Sequence, residues 1–204
     1  RGNKAGGIVG ETSEEATIVR CANEGDILSV SAAYAGGGGD GLPLTVISES
    51  RAGGIAGSGG ELLFDCYNAG SVKAYANVQR VSGGADRYTL SAGGLVGRAG
   101  DLGLNHCYNV GAVAAQASRE HEDVTAYAAG MAVGSSISPY QCLALNNTDY
   151  AVLIPNEPPP ALQYQYSEWQ MKALYSYNGF DFENVWIMDA ESGYPYPQLR
   201  APVP

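Results

Sequence analysis

The stretch "AGGLVG", Ala92 to Gly97, is followed ten residues on by "CYNVGAV", Cys107 to Val113, and the chain writes this pair of phrases repeatedly. The first phrase is AGGIVG from Ala5, AGGIAG from Ala52 and, in a worn copy, AAGMAV from Ala128. The second is CANEGDI from Cys21, CYNAGSV from Cys66 and a worn CLALNNT from Cys142. Successive cysteines lie 45, 41 and 35 residues apart. From the first alanine of each copy to the Ile, Val or Thr that closes it, however, the span is 23, 21, 22 and 21 residues. Length therefore varies between copies and hardly within them, as insertions along one edge of a stacked array do.

A unit of this size cannot bury its own apolar face and gains a core by stacking on its neighbours. Helical repeats of similar period are disfavoured, because Gly-Gly within each first phrase and Gly within each second would cost about 1 kcal/mol apiece in a helix. Each core thus reads as one turn of an all-β fold: a parallel β-helix (β-solenoid) of about four turns, like positions stacking about 4.8 Å apart. Hairpin insertions and a small C-terminal cap containing a short helix complete the expected architecture. Residues 1–150 are the repeats, 151–166 a Pro-rich connector and 167–204 the cap.

Composition agrees with this and excludes several partners. The 204 residues are 45% hydrophobic and 16% charged, with 28 glycines and 10 prolines, a turn-rich chain able to bury a core. A net charge of −10 without a visible basic patch argues against nucleic acid and anionic membranes. No apolar run approaches the roughly 20 residues of a membrane helix. No signal peptide opens the sequence, and with a repeat phrase so near Arg1 the chain is expected to be part of a longer polypeptide.

Stacking turns aligned positions into columns. Strand alternation sends Cys21, Cys66, Cys107 and Cys142 inward with Asn23, Asn68 and Asn109, while Ala22, Tyr67, Tyr108 and Leu143 face out. The asparagines should form an amide ladder, and the glycine two residues after each should turn a corner at positive φ. Ile18, Leu63 and Leu104, three residues before the cysteines, are also apolar, so a bend or bulge is expected between. Parallel Cβ vectors one rung apart exceed the roughly 3.8 Å of a disulfide, which favours buried free thiols over two bridges.

The paired phrases resemble the GLUG-motif repeats of large bacterial surface proteins, among them adhesins and IgA-cleaving metallopeptidases. The likeness covers about residues 5 to 148, and "SEWQMKALYSYNGFDFENVWIMDAESGYPYPQLR" from Ser167 is similar to the tail that often ends such arrays. It implies a parallel β-helix on a secreted or wall-attached protein and no catalytic residue. His121-Glu122 has no second histidine at the HExxH position.

In the tail, Ser167 and Gln170 are spaced as a capping box, with Trp169, Met171 and Leu174 as one apolar face. "FENVWIM" reads as strand, "DAESG" as turn and "YPYPQL" as extended. Such a segment would cover the open edge of the last rung. Insertions at residues 28–51, 73–91 and 114–127 carry strand-like arms around tips at Gly36–Gly41, Ser82–Asp86 and Arg119–Asp123; side by side they would make a second sheet or wing.

Little points to catalysis. His106 falls in an outward column with Arg20, Asp65 and Gln141 and reads as part of a charge ladder. His121, among Arg119, Glu120, Glu122 and Asp123, reads as a solvated tip or a weak Ca²⁺ site. No cofactor, required metal or catalytic residue is expected. The candidate binding residues are Tyr34, Tyr67, Tyr75, Tyr88, Tyr108 and Tyr127, whose flat surfaces suit a host glycan or a host surface or matrix protein. The expected function is a non-catalytic extracellular stalk or adhesion module of a larger bacterial protein. Alternatives are a carbohydrate-active enzyme on a β-helix, or an accessory region of an IgA-peptidase-like protein. If the cysteines are an internal ladder, a thiol reagent should find few in the native protein and all four after denaturation without reductant; two pairs that stay unreactive would mean disulfides.

Overall fold

A computed structural model describes residues 2–13, 15–32, 47–59, 61–78, 87–118, 124–146, 148–149 and 165–201. The described residues are mostly β-strand, with one short α-helix, and the main sheets are parallel. The first sheet aligns Gly2–Gly6, Ile47–Gly53, Arg87–Gly93 and Val124–Ala129 in that order. The second contains Val9–Glu11, Ala16–Val19, Ala56–Ser58 and Glu61–Phe64, with the long strands Val96–Asn105 and Ala132–Tyr140 paired beside them. The third stacks Ala22–Asn23, Tyr67–Asn68, Tyr108–Asn109, Leu143–Leu145 and Gln165–Tyr166. The fourth stacks Ile27–Ala32, Val72–Asn77, Val113–Ala117 and Thr148–Asp149.

Sequence columns are paired residues throughout these sheets. Ala5, Ala52, Ala92 and Ala128 align across the first sheet, and Ile18, Leu63 and Leu104 across the second. Asn23, Asn68 and Asn109 align across the third, and Ile27, Val72, Val113 and Thr148 across the fourth.

The two phrases recur together because they are two sides of one contact. Asn23 Nδ2 donates to Asn68 Oδ1 at 2.7 Å, and Asn68 Nδ2 to Asn109 Oδ1 at 2.7 Å, forming the expected ladder. Each amide also donates to the carbonyl of the glycine two residues on, Gly25, Gly70 or Gly111. The second glycine of each first phrase lies against this ladder. A Cβ on Gly54 would overlap both the Asn68 side chain and the Gly94 carbonyl oxygen, and one on Gly94 would strike Asn109 and the Gly130 oxygen.

The corner does not fall where glycine suggested it. Gly25, Gly70 and Gly111 are not at positive φ; Gly70 and Gly111 are small because a Cβ would overlap the carbonyl of the glycine one copy earlier. The left-handed residues are those before each cysteine: Arg20 (φ 53°), Asp65 (52°), His106 (50°) and Gln141 (49°). This turn supplies the expected bend, bringing Leu63 and Cys66, or Leu104 and Cys107, onto one interior face, all four fully buried. A non-glycine residue held left-handed costs roughly 1–2 kcal/mol, and full burial of one leucine returns about 1.5–3 kcal/mol.

All four cysteines are free. Their thiols donate to the carbonyl two residues back, at 3.2 Å in Cys66 and Cys107, 3.3 Å in Cys142 and 3.4 Å in Cys21. Burial pushes the Cys107 thiol well above the usual cysteine range, which keeps it protonated and unreactive.

The insertions differ from the expected hairpins. Their outgoing arms belong to the fourth sheet and their returning arms to the first, each pairing parallel with its counterpart in the next copy. The two sheets face each other over a second core in which Ala74, Ala76 and Ala115 pack against Tyr88, Leu90 and Ala92. The arms thus extend the stack. The three tips, Tyr34, His121 and Pro155–Pro160 lie outside the described residues.

The tail also departs from its expected place. Gln165–Tyr166 adds a strand beside Leu143–Leu145, but the rest packs on the outward side of the third sheet. The helix is Glu168–Met171; the Gln170 Oε1 accepts from the Ser167 N–H at 2.9 Å and from its hydroxyl at 2.8 Å. Of its supposed apolar face only Met171 is buried, whereas Trp169 and Leu174 are exposed. Trp186–Ile187 pairs antiparallel with Gln198–Leu199.

Asn68→Ala should destabilise the chain by about 3 kcal/mol, because Asn23, Asn109 and Gly70 each lose a buried partner. Gly54→Ala should cost at least as much through overlap. Gly100→Ala, where a Cβ meets nothing within 4 Å, should stay within about 0.5 kcal/mol. Urea unfolding of the three variants checks the order.

Candidate functional site

Among the described residues, two surfaces hold the largest groups of side chains beyond those used in stacking. The first is the outward column of the third sheet. Tyr67 and Tyr108 stack with ring centroids 5.1 Å apart and planes within 3°, as neighbouring rungs dictate. They do point away from the cysteines, but the tail covers them, leaving Tyr67 3% and Tyr108 0% exposed. Trp186, Tyr177, Phe180 and Met171 complete this cluster. The expectation of an open tyrosine platform is therefore corrected at Tyr67 and Tyr108: their faces bind the chain's own tail.

Polar groups fix the tail in register. Trp186 Nε1 donates to Asp65 Oδ1 at 3.1 Å. The Tyr108 hydroxyl donates to the Pro197 carbonyl, and that of Tyr67 to Glu24 Oε1 at 2.7 Å. His106 Nε2 lies 2.7 Å from Gln141 Oε1 and its Nδ1 3.8 Å from Asp65 Oδ1, while its ring meets Phe180 edge-on at 5.5 Å. The left-handed column expected as a surface charge ladder is thus half covered and serves as a docking strip for the tail.

The second surface is the outer face of the first sheet. Alternation turns Ser50, Leu90 and Ala126 to the core and sets Arg51, Ser91 and Tyr127 in one outward row, with Glu49, Thr89 and Thr125 in the next. Lys4 continues the first row beside Arg51. Arg87 enters from the same sheet and Arg98 from the second, closing a groove of about 470 Å³. Arg98 lies over the Tyr127 ring, 6.0 Å from its centroid, a cation–π geometry.

Among the described lining residues three arginines therefore meet one carboxylate, in a chain of net charge −10. Arg51 Nη2 pairs with Glu49 Oε2 at 2.7 Å and Nη1 donates to Ser58 Oγ at 3.0 Å. Lys4 pairs with Glu11 and thereby holds the Glu11 carboxyl below the usual carboxylate range. Arg87 and Arg98 are exposed and have no ion pair among the described residues.

No basic patch is legible in the sequence, because Arg51, Arg87 and Arg98 are separated by up to 47 positions. Its alignment held part of the signal: Lys4, Arg51, Ser91 and Tyr127 each immediately precede the alanine of a first phrase. Of the other proposed tyrosines, Tyr88 is 1% exposed and packs in the second core, which leaves little of its ring open to a partner. Tyr75 is half-buried in the fourth sheet, with Lys73 Nζ 5.4 Å from its ring centroid. Tyr127 lies in the arginine groove, whose described lining also includes the buried Tyr88.

Among the described residues no group of three or more His, Cys, Asp or Glu is arranged to hold a metal ion. No helix there is long and apolar enough to cross a membrane. Comparison with family models, curated proteins and solved structures found no match to the chain.

Burial raises the phenol pKa of Tyr67, Tyr108 and Tyr177, Glu24 adding to it at Tyr67, and pushes that of Tyr194 up to about 12. The folded chain then keeps these protons at a pH where the unfolded chain releases them. Stability from the tail should be complete below about pH 10, the unfolded tyrosine value, and fall as pH rises through the folded values. Urea unfolding followed by tryptophan fluorescence should give a flat midpoint from about pH 7 to 9 and a lower one at about pH 11; an unchanged midpoint there contradicts the linkage.

Proposed function

We propose that the chain is a parallel β-helix serving as a non-catalytic extracellular stalk or binding module of a larger, GLUG-type bacterial surface protein. One observation carries the reading: the side chains that the sequence repeats are spent on stacking. Asn23, Asn68 and Asn109 bond to one another, the cysteines lie inside, and Gly54 and Gly94 admit the ladder. A repeat conserved within one chain for such contacts lengthens a scaffold, and the residues left free for recognition are the unrepeated ones on its outer faces.

Burial differs along the stack. Ile8 is 47% exposed, whereas Ile55 and Leu95 at the same position of the next copies are 0% exposed. Cys21 is likewise less buried than Cys66 and Cys107. A unit of the same kind added there by design would cover this row if the copies stack as proposed.

Grafting a second copy of residues 47–86 ahead of Gly2 tests the stacking. Cys21 should lose its reactivity toward a thiol reagent and the melting temperature should rise; a Cys21 that stays reactive contradicts the solenoid reading. Incubation with pectate, alginate and chondroitin sulfate, followed by reducing-end assay, should show no turnover. Sustained turnover that is lost with a purified point variant would make the chain an enzyme.

A further inference from the structure

We infer that the groove on the outer face of the first sheet binds an anionic carbohydrate through carboxylate groups, with Arg87 and Arg98 as its principal contacts and Arg51 and Tyr127 beside them. The inference rests on the binding-module reading and names the ligand class of that module.

Three features select this ligand. Charge comes first: among the described residues the groove's lining gathers Arg51, Arg87 and Arg98 against the carboxylate of Glu49, a cationic lining that attracts anions. Guanidinium offers paired N–H donors matching the two oxygens of a carboxylate. Arg87 and Arg98 have those donors uncommitted to any carboxylate among the described residues, whereas Arg51 is shared with Glu49 and Ser58.

The second feature is the rest of the lining. Thr89 and Thr125 stand side by side in the row next to Arg51 and Tyr127, giving hydroxyls that both donate and accept, as sugar hydroxyls require. Peptide recognition of comparable strength relies on buried apolar anchors, and no aliphatic side chain is among the described residues that line this groove. The third is size and rigidity. About 470 Å³ accommodates a short oligosaccharide, and paired parallel strands fix the backbone under it, so little ordering entropy opposes binding.

Glu49 opposes the ligand. It repels a carboxylate and occupies one edge of Arg51. This gives the inference a variant with the opposite sign: Glu49→Gln frees the Arg51 guanidinium and removes the repulsion, while preserving the size of the side chain.

Calorimetric titration of the full chain with trigalacturonate, and with maltotriose as the neutral control, tests the assignment. Trigalacturonate should bind at least about tenfold more tightly than maltotriose, and more weakly as salt rises. The double variant Arg87→Gln, Arg98→Gln should lose about tenfold or more in affinity with an unchanged melting temperature, since both side chains are exposed. Glu49→Gln should gain about threefold. No detectable binding at millimolar ligand, equal binding of maltotriose, or a double variant that binds normally overturns the inference. A hexaglutamate peptide that binds as tightly as trigalacturonate overturns the carbohydrate assignment. These outcomes leave the Cys21 protection and turnover experiments untouched, so the ligand can fail while the scaffold reading stands.

Discussion

The contact on which everything else depends is the meeting of a glycine without a side chain and an asparagine amide at the same level of the stack. Gly54 lets Asn68 lie against the backbone, and Gly94 does so for Asn109. The amides can then bond across copies at 2.7 Å. Because Asn68 is tied to the asparagines on both sides and to its own following glycine, a slip of one residue would break several buried bonds together. A parallel stack has little else to choose its register, since alanines and valines pack nearly as well one copy out of place. The ladder supplies that choice.

From this register follows the position of the left-handed residue before each cysteine. Its backbone turn sends the flanking side chains Leu63 and Cys66 to one interior, and it places Asp65, His106 and Gln141 in a polar strip beside Tyr67 and Tyr108. The tail reads that strip. Trp186 bonds to Asp65, Phe180 meets His106, and a Cβ on Gly179, itself at φ 84°, would overlap the Gln141 side chain. A repeating stack thus creates a repeating surface, and an unrepeated segment of aromatic side chains covers it from the side.

The same division of labour shapes the functional surfaces. Repeated residues are committed to neighbours, so chemistry is left to positions that vary between copies. Along the row Lys4, Arg51, Ser91, Tyr127 the backbone is uniform while the side chains change. This combination gives a flat, stiff platform whose charge pattern can be altered with little effect on the core. The proposed recognition of acidic sugars uses the platform in that way, with Arg87 and Arg98 without an ion pair among the described residues and Arg51 partly held.

Phrase spacing, alternation and the cost of glycine in helices were enough to identify an all-β chain, the columns of paired residues, the buried thiols and the asparagine ladder, because each follows from local periodicity repeated in one string. The location of the corner was not legible: a left-handed residue is usually sought at glycine, yet here stacking pressure imposes it on Arg20, Asp65, His106 and Gln141, while glycine is reserved for close approach. Nor could alternation alone tell an outward tyrosine from an exposed one. Tyr67 and Tyr108 face away from the cysteines as the pattern requires, but contacts with Trp186 and Tyr177, more than sixty residues away in sequence, remove them from solvent. Arg51, Arg87 and Arg98 meet only because parallel pairing brings successive copies within one strand spacing. Sequence by itself determined what each copy repeats, since that is fixed by short-range sterics and hydrogen bonding; the tertiary structure alone decided which of the remaining side chains are covered and which stand together, since that depends on long-range packing.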